Sequence, residues 1–345
     1  MKGFRVARHG GPEALEWSAL PEPAAGPGEV LIRVRACALN HLDLWLRNGV
    51  PGHRFPLPLV PGSEVAGEVA ELGAGVDDLE PGSACLVAPG ISCGHCDVCA
   101  RGDDHLCDQY GLLGEHRDGG YAELVVVPRR NVLPIPAGLS FVEAAAIPLV
   151  FLTAWQMLAV RAALKPNEDV LLHAAGSGVT SAGIQIAKAL GARRILVTAG
   201  SPEKLEAARQ LGATHLFPAR DDELVRRVRE ATGGRGVDVV FDHVGGDTFE
   251  RGLRLLARGG RIVLCGATAA HEVKLNLRAL FFKNLSILGS TTGSLGALRA
   301  LLPWFERGIF RPVVARTFPL AEAAAAQALL ESRSVFGKVV LEVAP

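Results

Sequence analysis

Six short apolar runs in the second half of the chain constrain its fold more than any other feature. They are DVLLHAA, RILVTAG, HLF, VDVVFDHVG, RIVLCG and LSILGST, and helical segments separate them. Short, continuous runs of this kind suit strands that are buried on both faces of a parallel sheet and are joined by crossover helices. The pattern therefore predicts a doubly wound α/β domain with a six-stranded parallel sheet.

The sequence on either side of these runs has a different character. From residue 1 to about residue 136, β-like runs such as GEVLIRVRACAL and SEVAGEVAELG alternate with glycine and proline, which predicts an irregular antiparallel β domain with a helix near His41 to Arg47. Long helical stretches begin near Ser140. The C-terminal part predicts an amphipathic helix around Leu298 to Glu306, an alanine-rich helix around Ala321 to Glu331 and a closing strand, GKVVLEV. We expect this tail to return to the first domain.

Composition excludes several classes of protein. The 345 residues carry 36 basic and 36 acidic side chains, so no positive field is available for nucleic acid or an acidic membrane. The N-terminus lacks a signal-peptide pattern and no run of about 18 apolar residues occurs, which predicts a cytoplasmic protein without membrane contact. A disulfide framework is not expected in that compartment. Three of the seven cysteines stand alone and are interpreted as small buried hydrophobes: Cys37, Cys85 and Cys265.

The other four cysteines crowd into CGHCDVCARGDDHLC, at Cys93, Cys96, Cys99 and Cys107. Two residues separate each of the first three, and seven precede the fourth. Four thiolates can converge on one zinc ion at this spacing, and a closed four-sulfur shell is typical of structural sites. An iron–sulfur cluster and a metal-free loop are the alternatives, but the bacterial cluster motif has three residues before its last cysteine.

A glycine-bearing turn, AGSGVT, lies between the first apolar run and the helical segment SAGIQIAKAL. In a doubly wound fold this turn meets the pyrophosphate of a dinucleotide at a helix N-terminus. The usual glycine places hold Ala175, Ser177 and Thr180, and the bulk of Thr180 predicts a slightly wider approach of strand and helix. A purely structural turn is the alternative. The candidate cofactor-binding residues here are Gly176, Ser177, Gly178 and Val179.

The end of the second predicted strand bears on which dinucleotide binds. NAD enzymes normally have an acidic residue there for the ribose hydroxyls, whereas this chain has Ala199 and Gly200 followed by Ser201 and Lys204. A hydroxyl and a cation suit a 2′-phosphate, so we expect NADP(H) in preference to NAD(H), although Lys204 is also compatible with an ordinary solvated lysine. The ends of the last three runs supply further candidate cofactor contacts: Val244, Gly266 and Ser290.

Taken together, these features resemble the medium-chain dehydrogenase/reductase superfamily, which contains the zinc alcohol dehydrogenases and the quinone oxidoreductases. The most specific signs are the cysteine spacing and the segments ALNHLDLWLRNG, PLVPGSEVAGEV and EAAAIPLVFLTAW. The resemblance implies a GroES-like catalytic domain at 1–150 with a zinc lobe at about 90–110. It further implies a Rossmann cofactor domain at 151–290, a returning segment at 291–345 that completes the catalytic domain, and a substrate cleft between the domains.

The resemblance breaks at the catalytic metal. The hydroxyl that starts the family's proton relay falls at Leu42, and the carboxylates Asp43 and Glu64 remain. By motif alignment, the positions of the three catalytic zinc ligands hold residues that bind zinc poorly: Asn40, Ser63 and Leu149. This combination resembles the quinone oxidoreductase branch, to which a structural zinc lobe has been added.

The resemblance therefore implies hydride transfer to or from a carbonyl, a quinone or an enone without a catalytic zinc. The residues assigned to catalysis are Asn40, Asp43 and Thr153, while Lys338 resembles the tail residue that faces the pyrophosphate. Small-molecule substrates and a homodimer or homotetramer are implied.

Two other interpretations remain open. One is an alcohol dehydrogenase with an atypical metal site, and the other is an NADPH-binding protein without turnover. The atypical site would draw its ligands from Cys37, His41, Asp43, His53 and Glu64.

Overall fold

The computed structural model describes residues 1–344, which form two compact units. Unit 1 comprises residues 1–149 and the chain from Ser294 onward, and unit 2 comprises Val150–Gly293. The strands are β1 Lys2–Val6, β2 Leu15–Ala19, β3 Glu29–Ala38, β4 Glu64–Leu72, β5 Ala84–Val87, β6 Gly90–Ile91, β7 Gly111–Leu112, β8 Leu124–Pro128, β9 Val132–Pro134, β10 Asp169–Leu172, β11 Arg194–Ala199, β12 His215–Pro218, β13 Val237–Asp242, β14 Leu256–Leu264, β15 Ser286–Gly289, β16 Val314–Pro319 and β17 Lys338–Glu342.

Helices connect these strands in both units. They are α1 His41–Asn48, α2 Asp97–Ala100, α3 Phe141–Ala145, α4 Val150–Trp155, α5 Gly178–Ala189, α6 Pro202–Leu211, α7 Leu224–Ala231, α8 Asp247–Leu255, α9 Leu277–Phe282, α10 Leu295–Glu306 and α11 Ala323–Glu331. None of the helices in the described part of the chain is both long and apolar enough to span a bilayer.

Unit 1 is built on a sheet with the strand order β16-β17-β3-β4-β5-β9, and β8 also pairs with β3. Apolar side chains of β3, β4 and β17, including Ile32, Val65 and Leu341, form its core. The C-terminal strand β17 runs antiparallel to β3, with Val340 opposite Ala38. The tail therefore forms part of the same sheet as the N-terminal β domain, and it brings Lys338 to the end of β3.

Unit 2 contains the six-stranded parallel sheet that the apolar runs predict, which confirms the predicted fold class. Its order is β12-β11-β10-β13-β14-β15, and each neighbouring pair is parallel. The direction of strand succession reverses between β10 and β13, and in such sheets ligands bind beyond the carboxyl ends of the strands at this point. The core joins Leu171, Val240 and Ile262 on the strands to Val228 and Phe249 on the helices.

The long helical stretch that the sequence predicts after Ser140 is broken in the structure. Ser140 is the N-cap of α3, and its hydroxyl accepts a hydrogen bond from the Glu143 amide. The helix ends at Ala145, shortly before Pro148. Proline has no amide hydrogen to donate and disfavours a helical residue before it. The chain then resumes as α4 and continues with π-helical hydrogen bonding from Gln156 to Arg161.

A buried carboxylate surrounded by arginines lies at the amino end of the parallel sheet. Asp169 is fully buried, and it lies 2.6 Å from Arg193, 3.1 Å from Arg194 and 2.9 Å from Arg235. Burial raises the pKa of Asp169, but the hydrogen bonds from Arg193 and Arg235 outweigh burial and hold this pKa below its usual value. The ionised carboxylate thus ties β10 to the segments on both sides of it.

Candidate active site and metal centre

The four clustered cysteines converge in unit 1, next to the short helix α2. Their sulfur atoms all lie within 4.8 Å of one another. The Sγ atoms of Cys93 and Cys99 are 3.8 Å apart, as are those of Cys96 and Cys107. The amide of Cys96 lies 3.4 Å from Sγ of Cys93 and donates toward it, and the Gln109 amide does the same for Cys107.

This arrangement fits a single tetrahedral ion. Zinc–sulfur bonds of about 2.3 Å in tetrahedral geometry separate neighbouring sulfurs by about 3.8 Å. A multi-iron cluster would divide the thiolates among different iron atoms and hold them further apart. Within residues 1–344 these cysteines are the one group of at least three His, Cys, Asp or Glu side chains whose ligand atoms approach closely enough for a shared metal.

The glycine-bearing turn lies in unit 2, where β10 leads into α5. Ser177 is the N-cap of α5, and its hydroxyl accepts a hydrogen bond from the Thr180 amide. Thr180 is buried and donates its own hydroxyl to the His173 carbonyl at 2.8 Å. One turn later the helix lies close to the strand, because a Cβ on Gly183 would lie 2.9 Å from Cδ2 of Leu172. The Thr180 side chain is thus accommodated inside the turn, where its hydroxyl bonds to the residue that follows β10.

His243, which the sequence analysis did not single out, makes contacts across the point where the strand order reverses. Nε2 of His243, at the end of β13, lies 3.0 Å from Oγ of Ser177 and 3.1 Å from Oγ1 of Thr180. The contact couples the turn after β10 to the turn after β13. The local sequence offered no signal for it, because Ser177 and His243 are 66 residues apart in the chain.

The remaining strand ends lie at the same carboxyl edge of the sheet. The Val244 amide donates to Asp242, and the Ser290 amide donates to the Leu264 carbonyl. Gly266 packs close to β13, since a Cβ there would lie 3.3 Å from the His243 carbonyl oxygen. The structure thus brings these three candidate cofactor residues to the edge that also carries the glycine-bearing turn.

The turn after β11 leads into α6, whose first turn carries an acidic residue, Glu203, that the sequence analysis did not single out. Ser201 is the N-cap of α6 and accepts a hydrogen bond from the Lys204 amide, and Lys204 itself is partly buried. A hydrogen bond with Ser201 lowers the pKa of Glu203, on the first turn of the same helix. A Cβ on Gly200 would meet no atom within 4 Å, so space is open at this turn. The start of α6 therefore carries both a cation, Lys204, and a carboxylate, Glu203.

In unit 1, Asn40, Glu64 and Lys338 form a buried polar cluster at the end of β3. The Lys338 ammonium lies 2.6 Å from the Glu64 carboxylate, and it donates to Oδ1 of Asn40 at 2.7 Å and to the Leu39 carbonyl. Lys338 is 4% exposed and Glu64 is fully buried. The three ammonium hydrogens have acceptors inside this unit, so we do not retain Lys338 among the proposed pyrophosphate contacts.

Asp43 supports the backbone on which this cluster rests. Its carboxylate accepts hydrogen bonds from the Asn40 amide at 2.7 Å, the Gly62 amide at 3.2 Å and the Tyr121 hydroxyl at 3.2 Å. Complete burial raises the pKa of Asp43 to about 6, against the lowering effect of these hydrogen bonds and of Lys338. Asp43 therefore joins the start of α1 to the loop before β4.

The positions that the resemblance aligns with a catalytic zinc site hold Asn40, Ser63 and Leu149. Asn40 is engaged with Lys338 and Glu64, and the backbone amide of Leu149 donates to Glu64 at 2.7 Å. Ser63 is fully buried, and its hydroxyl has no hydrogen-bond partner in residues 1–344. The Lys338 ammonium supplies the positive charge beside Glu64. Within residues 1–344, the ligand atoms of the atypical set do not converge on one point; this set is Cys37, His41, Asp43, His53 and Glu64.

Thr153, the third residue assigned to catalysis, lies on α4 of unit 2 and is 8% exposed. It belongs to the same compact unit as the glycine-bearing turn. Asn40 and Asp43 belong to unit 1. The structure thus divides the assigned catalytic residues between the two units.

The parallel sheet with its glycine-bearing turn, and the β-rich unit with its cysteine lobe, together define a nicotinamide-dependent oxidoreductase. Family models match both parts: "Alcohol dehydrogenase GroES-like domain" matches residues 26–137, and "Zinc-binding dehydrogenase" matches residues 178–307. The chain belongs to the zinc-containing alcohol dehydrogenase family of the medium-chain dehydrogenase/reductase superfamily, as the resemblance predicted.

Individual relatives include members of both branches of this family. A protein called "NAD-dependent alcohol dehydrogenase" from Sulfolobus acidocaldarius is 34% identical, and the match covers 99% of this chain and 100% of the relative. A "Quinone oxidoreductase" from Rattus norvegicus is 30% identical over 99% and 97% of the two chains. A solved structure entitled "Crystal Structure of NAD-dependent alcohol dehydrogenase" is 48% identical, with complete coverage of both chains and a TM-score of 0.96.

Proposed function

We propose that this NAD(P)-dependent oxidoreductase reduces carbonyl compounds, quinones or enones, and catalyses the reverse reactions, without a catalytic zinc. The Asn40–Glu64–Lys338 cluster carries the proposal, because an ammonium lies 2.6 Å from the carboxylate that remains where metal enzymes have their zinc site. Relatives named as quinone oxidoreductases support the assignment of these substrates. An alcohol dehydrogenase reaction is the second candidate, because other relatives carry that name.

The bound nicotinamide would supply or accept the hydride. Asn40, which is half-buried at the N-cap of α1, and Thr153 would contact the reactants, while Asp43 would hold the Asn40 backbone in place. Orientation of the reactants and exclusion of water would then provide much of the rate acceleration. Without a Lewis acid to stabilise an alkoxide, simple alcohols should be poor substrates.

Substrate selectivity and chelator sensitivity test this proposal. We expect NADPH-dependent reduction of 1,4-benzoquinone and of cyclohexenone to be unchanged by a chelator that leaves the cysteine-bound metal in place. We expect ethanol and benzyl alcohol to react much more slowly, because their oxidation develops an alkoxide-like charge. A metal ion would stabilise this charge by several kcal/mol. Initial rates for the four substrates, measured with and without chelator, provide the comparison. Rapid alcohol oxidation that the chelator abolishes would instead establish a catalytic metal.

We further propose that the cofactor is NADP(H) in preference to NAD(H), with a selectivity below about tenfold. The absence of an acidic side chain at Ala199 and Gly200 and the presence of Lys204 support binding of a 2′-phosphate. The Glu203 carboxylate beside Ser201 opposes it by repulsion and limits the preference. The 48% identical solved structure is named for NAD, which makes NAD(H) the alternative cofactor.

Two variants on the same turn of α6 should move this selectivity in opposite directions. Lys204→Ala should weaken NADPH binding by up to about tenfold, or 1.4 kcal/mol, and leave NADH binding unchanged. Glu203→Gln should tighten NADPH binding alone, because only NADPH carries the phosphate that the carboxylate repels. Dissociation constants for both cofactors, obtained by fluorescence titration, measure these effects. Tighter binding of NADH by the unmodified protein, or equal effects on both cofactors, would contradict the proposal.

We also propose one structural zinc in the cysteine lobe and self-association into a homodimer or homotetramer. The sulfur geometry supports the zinc. Strand β15 lies at the edge of the parallel sheet, and large apolar side chains of α9 and β15 are exposed, which is typical of a covered surface. These side chains are Leu277, Phe281, Phe282 and Ile287. Light scattering in solution tests the association, and a mass of one chain would contradict it.

A further inference from the structure

The carboxamide of Asn40 is held between two groups of opposite charge. Its oxygen lies 2.7 Å from the Lys338 ammonium, and its nitrogen lies 3.1 Å from the Glu64 carboxylate. An ammonium only donates hydrogen bonds and an ionised carboxylate only accepts them. The two ends of an amide are usually difficult to distinguish, but here the charged neighbours permit one orientation.

The same contacts determine what Asn40 can offer to another molecule. One hydrogen of its nitrogen points to Glu64, and the Ala38 carbonyl accepts the second at 3.3 Å. The amide oxygen has two lone pairs, and Lys338 takes one of them. Both amide hydrogens are engaged, so Asn40 cannot donate to the oxygen of a carbonyl or a quinone without breaking a contact. The Asp43 amide faces the Asn40 side chain in the capping box of α1 but makes no side-chain hydrogen bond, so the amide oxygen keeps one acceptor position.

We propose that Lys338 and Glu64 are positioning residues, whose buried ion pair fixes the Asn40 side chain as a hydrogen-bond acceptor for a hydroxyl group. The hydroxyl belongs either to the ribose of the bound cofactor or to a hydroxylated substrate. The inference rests on the proposed function, because it gives a specific task to the Asn40 side chain. It specifies the role assigned to Asn40 in catalysis, because the amide oxygen accepts while both amide hydrogens are already engaged.

Removal of the ammonium should release the amide. In Lys338→Met, the amide oxygen of Asn40 would lose the only charged donor that distinguishes it from the amide nitrogen. The contact of the nitrogen with Glu64 at 3.1 Å would remain, but it would no longer be opposed by a cation on the oxygen side. Asn40 would then no longer have one preferred orientation, while its backbone would still be held by Asp43.

A double-mutant cycle separates this role from a general loss of structure. The variants are Asn40→Ala, Lys338→Met and the two combined, and Lys338→Arg is the conservative replacement. The assay follows NADPH oxidation with 1,4-naphthoquinone, which has no hydroxyl, and with hydroxyacetone, which has one. Arg47→Met is the matched control, because Arg47 is a 2% exposed cation of the same unit that pairs with Gln327 and Glu331 instead.

We expect Asn40→Ala and Lys338→Met each to lower kcat by roughly 10- to 100-fold, since misplacement of an orienting group has effects of this size. The combined variant should be no slower than the slower single variant, because Lys338 acts through Asn40. Lys338→Arg should restore part of the rate, and Arg47→Met should keep kcat within about threefold of that of the unmodified protein.

The two sources of the hydroxyl give different patterns. If the ribose provides it, both substrates are affected and the NADPH dissociation constant rises in Asn40→Ala and in Lys338→Met. If the substrate provides it, the loss is confined to hydroxyacetone and the NADPH dissociation constant is unchanged. Either pattern supports the inference.

Other results would overturn it, and they identify which step failed. If Asn40→Ala leaves both reactions unchanged, the role of Asn40 in the proposed function is wrong. If Asn40→Ala slows the reaction but the effects of the two single variants multiply in the combined variant, Lys338 does not act through Asn40. A loss in Arg47→Met as large as that in Lys338→Met would show that removal of any buried cation in this unit has the same effect.

Discussion

Substitution of Cys96 by serine is expected to empty the metal centre, whereas the unmodified protein should contain one zinc per chain. The four sulfurs already have the mutual distances of a tetrahedral site, and loss of one thiolate removes a quarter of the shell. Zinc binding to such sites is worth on the order of 10 kcal/mol in small zinc domains. Only part of this should appear as lost stability, because unfolded cysteines also bind the ion and the lobe is a small part of unit 1.

Metal analysis of the purified protein by mass spectrometry measures this effect, and a thermal melt of the variant measures its consequence. His95→Ala is the matched control, since His95 is exposed within the same lobe and its ring contacts the Cys93 carbonyl rather than the thiolates. It should retain the full zinc content. Two zinc ions per chain, or full zinc in Cys96→Ser, would contradict the assignment.

Replacement of Asp169 by asparagine should destabilise unit 2 by about 2 to 3 kcal/mol at pH 7. Loss of one partner of a buried ion pair typically costs about 3–5 kcal/mol, but here the arginines that remain are partly exposed and can be solvated. The pKa of Asp169 is lower in the folded protein than in the unfolded chain, so the ionised carboxylate stabilises the fold at pH values above the pKa of the unfolded chain. This stabilisation is lost as the pH falls below about 4. The difference in the free energy of unfolding between Asp169→Asn and the unmodified protein should therefore become smaller at low pH.

Unfolding by urea at pH 7 and at pH 3 provides the measurement. Glu230→Gln is the matched control, because Glu230 contacts Arg226 on α7 at a similarly short distance with both side chains more than half exposed. Exposed pairs of this kind contribute little to stability, because water and salt screen the charges. Equal losses in the two variants, or a deficit in Asp169→Asn that does not depend on pH, would show that burial of the carboxylate is not the cause.

Features carried by local patterns could be predicted from the sequence. The six apolar runs predict the six parallel strands, and the spacing of Cys93 to Cys107 predicts their convergence, because strand periodicity and short loops are set by neighbouring residues. The break in the helical stretch near Pro148 was missed, because the apolar residues on either side share one helical pattern.

The polar contacts of the candidate site could not be predicted in the same way. Lys338 and Asn40 are 298 residues apart, and they meet because β17 pairs with β3 in one particular register. The contact of His243 with Ser177 likewise depends on the reversal of strand order. In each case a single sequence contains the side chains but no local signal that relates them.

The order of the strands along the chain has a consequence for synthesis on the ribosome. Unit 2 is a continuous segment, Val150–Gly293, so all of its strands are translated before β17. The N-terminal strands are made earlier still and remain incompletely paired, because the strand that lies beside β3 and carries Lys338 is translated only after the whole of unit 2. A nascent chain that stops before Gly337 would therefore expose an unpaired edge of β3 and a buried Glu64 without its ammonium. Such a chain is an expected target for chaperones or proteases.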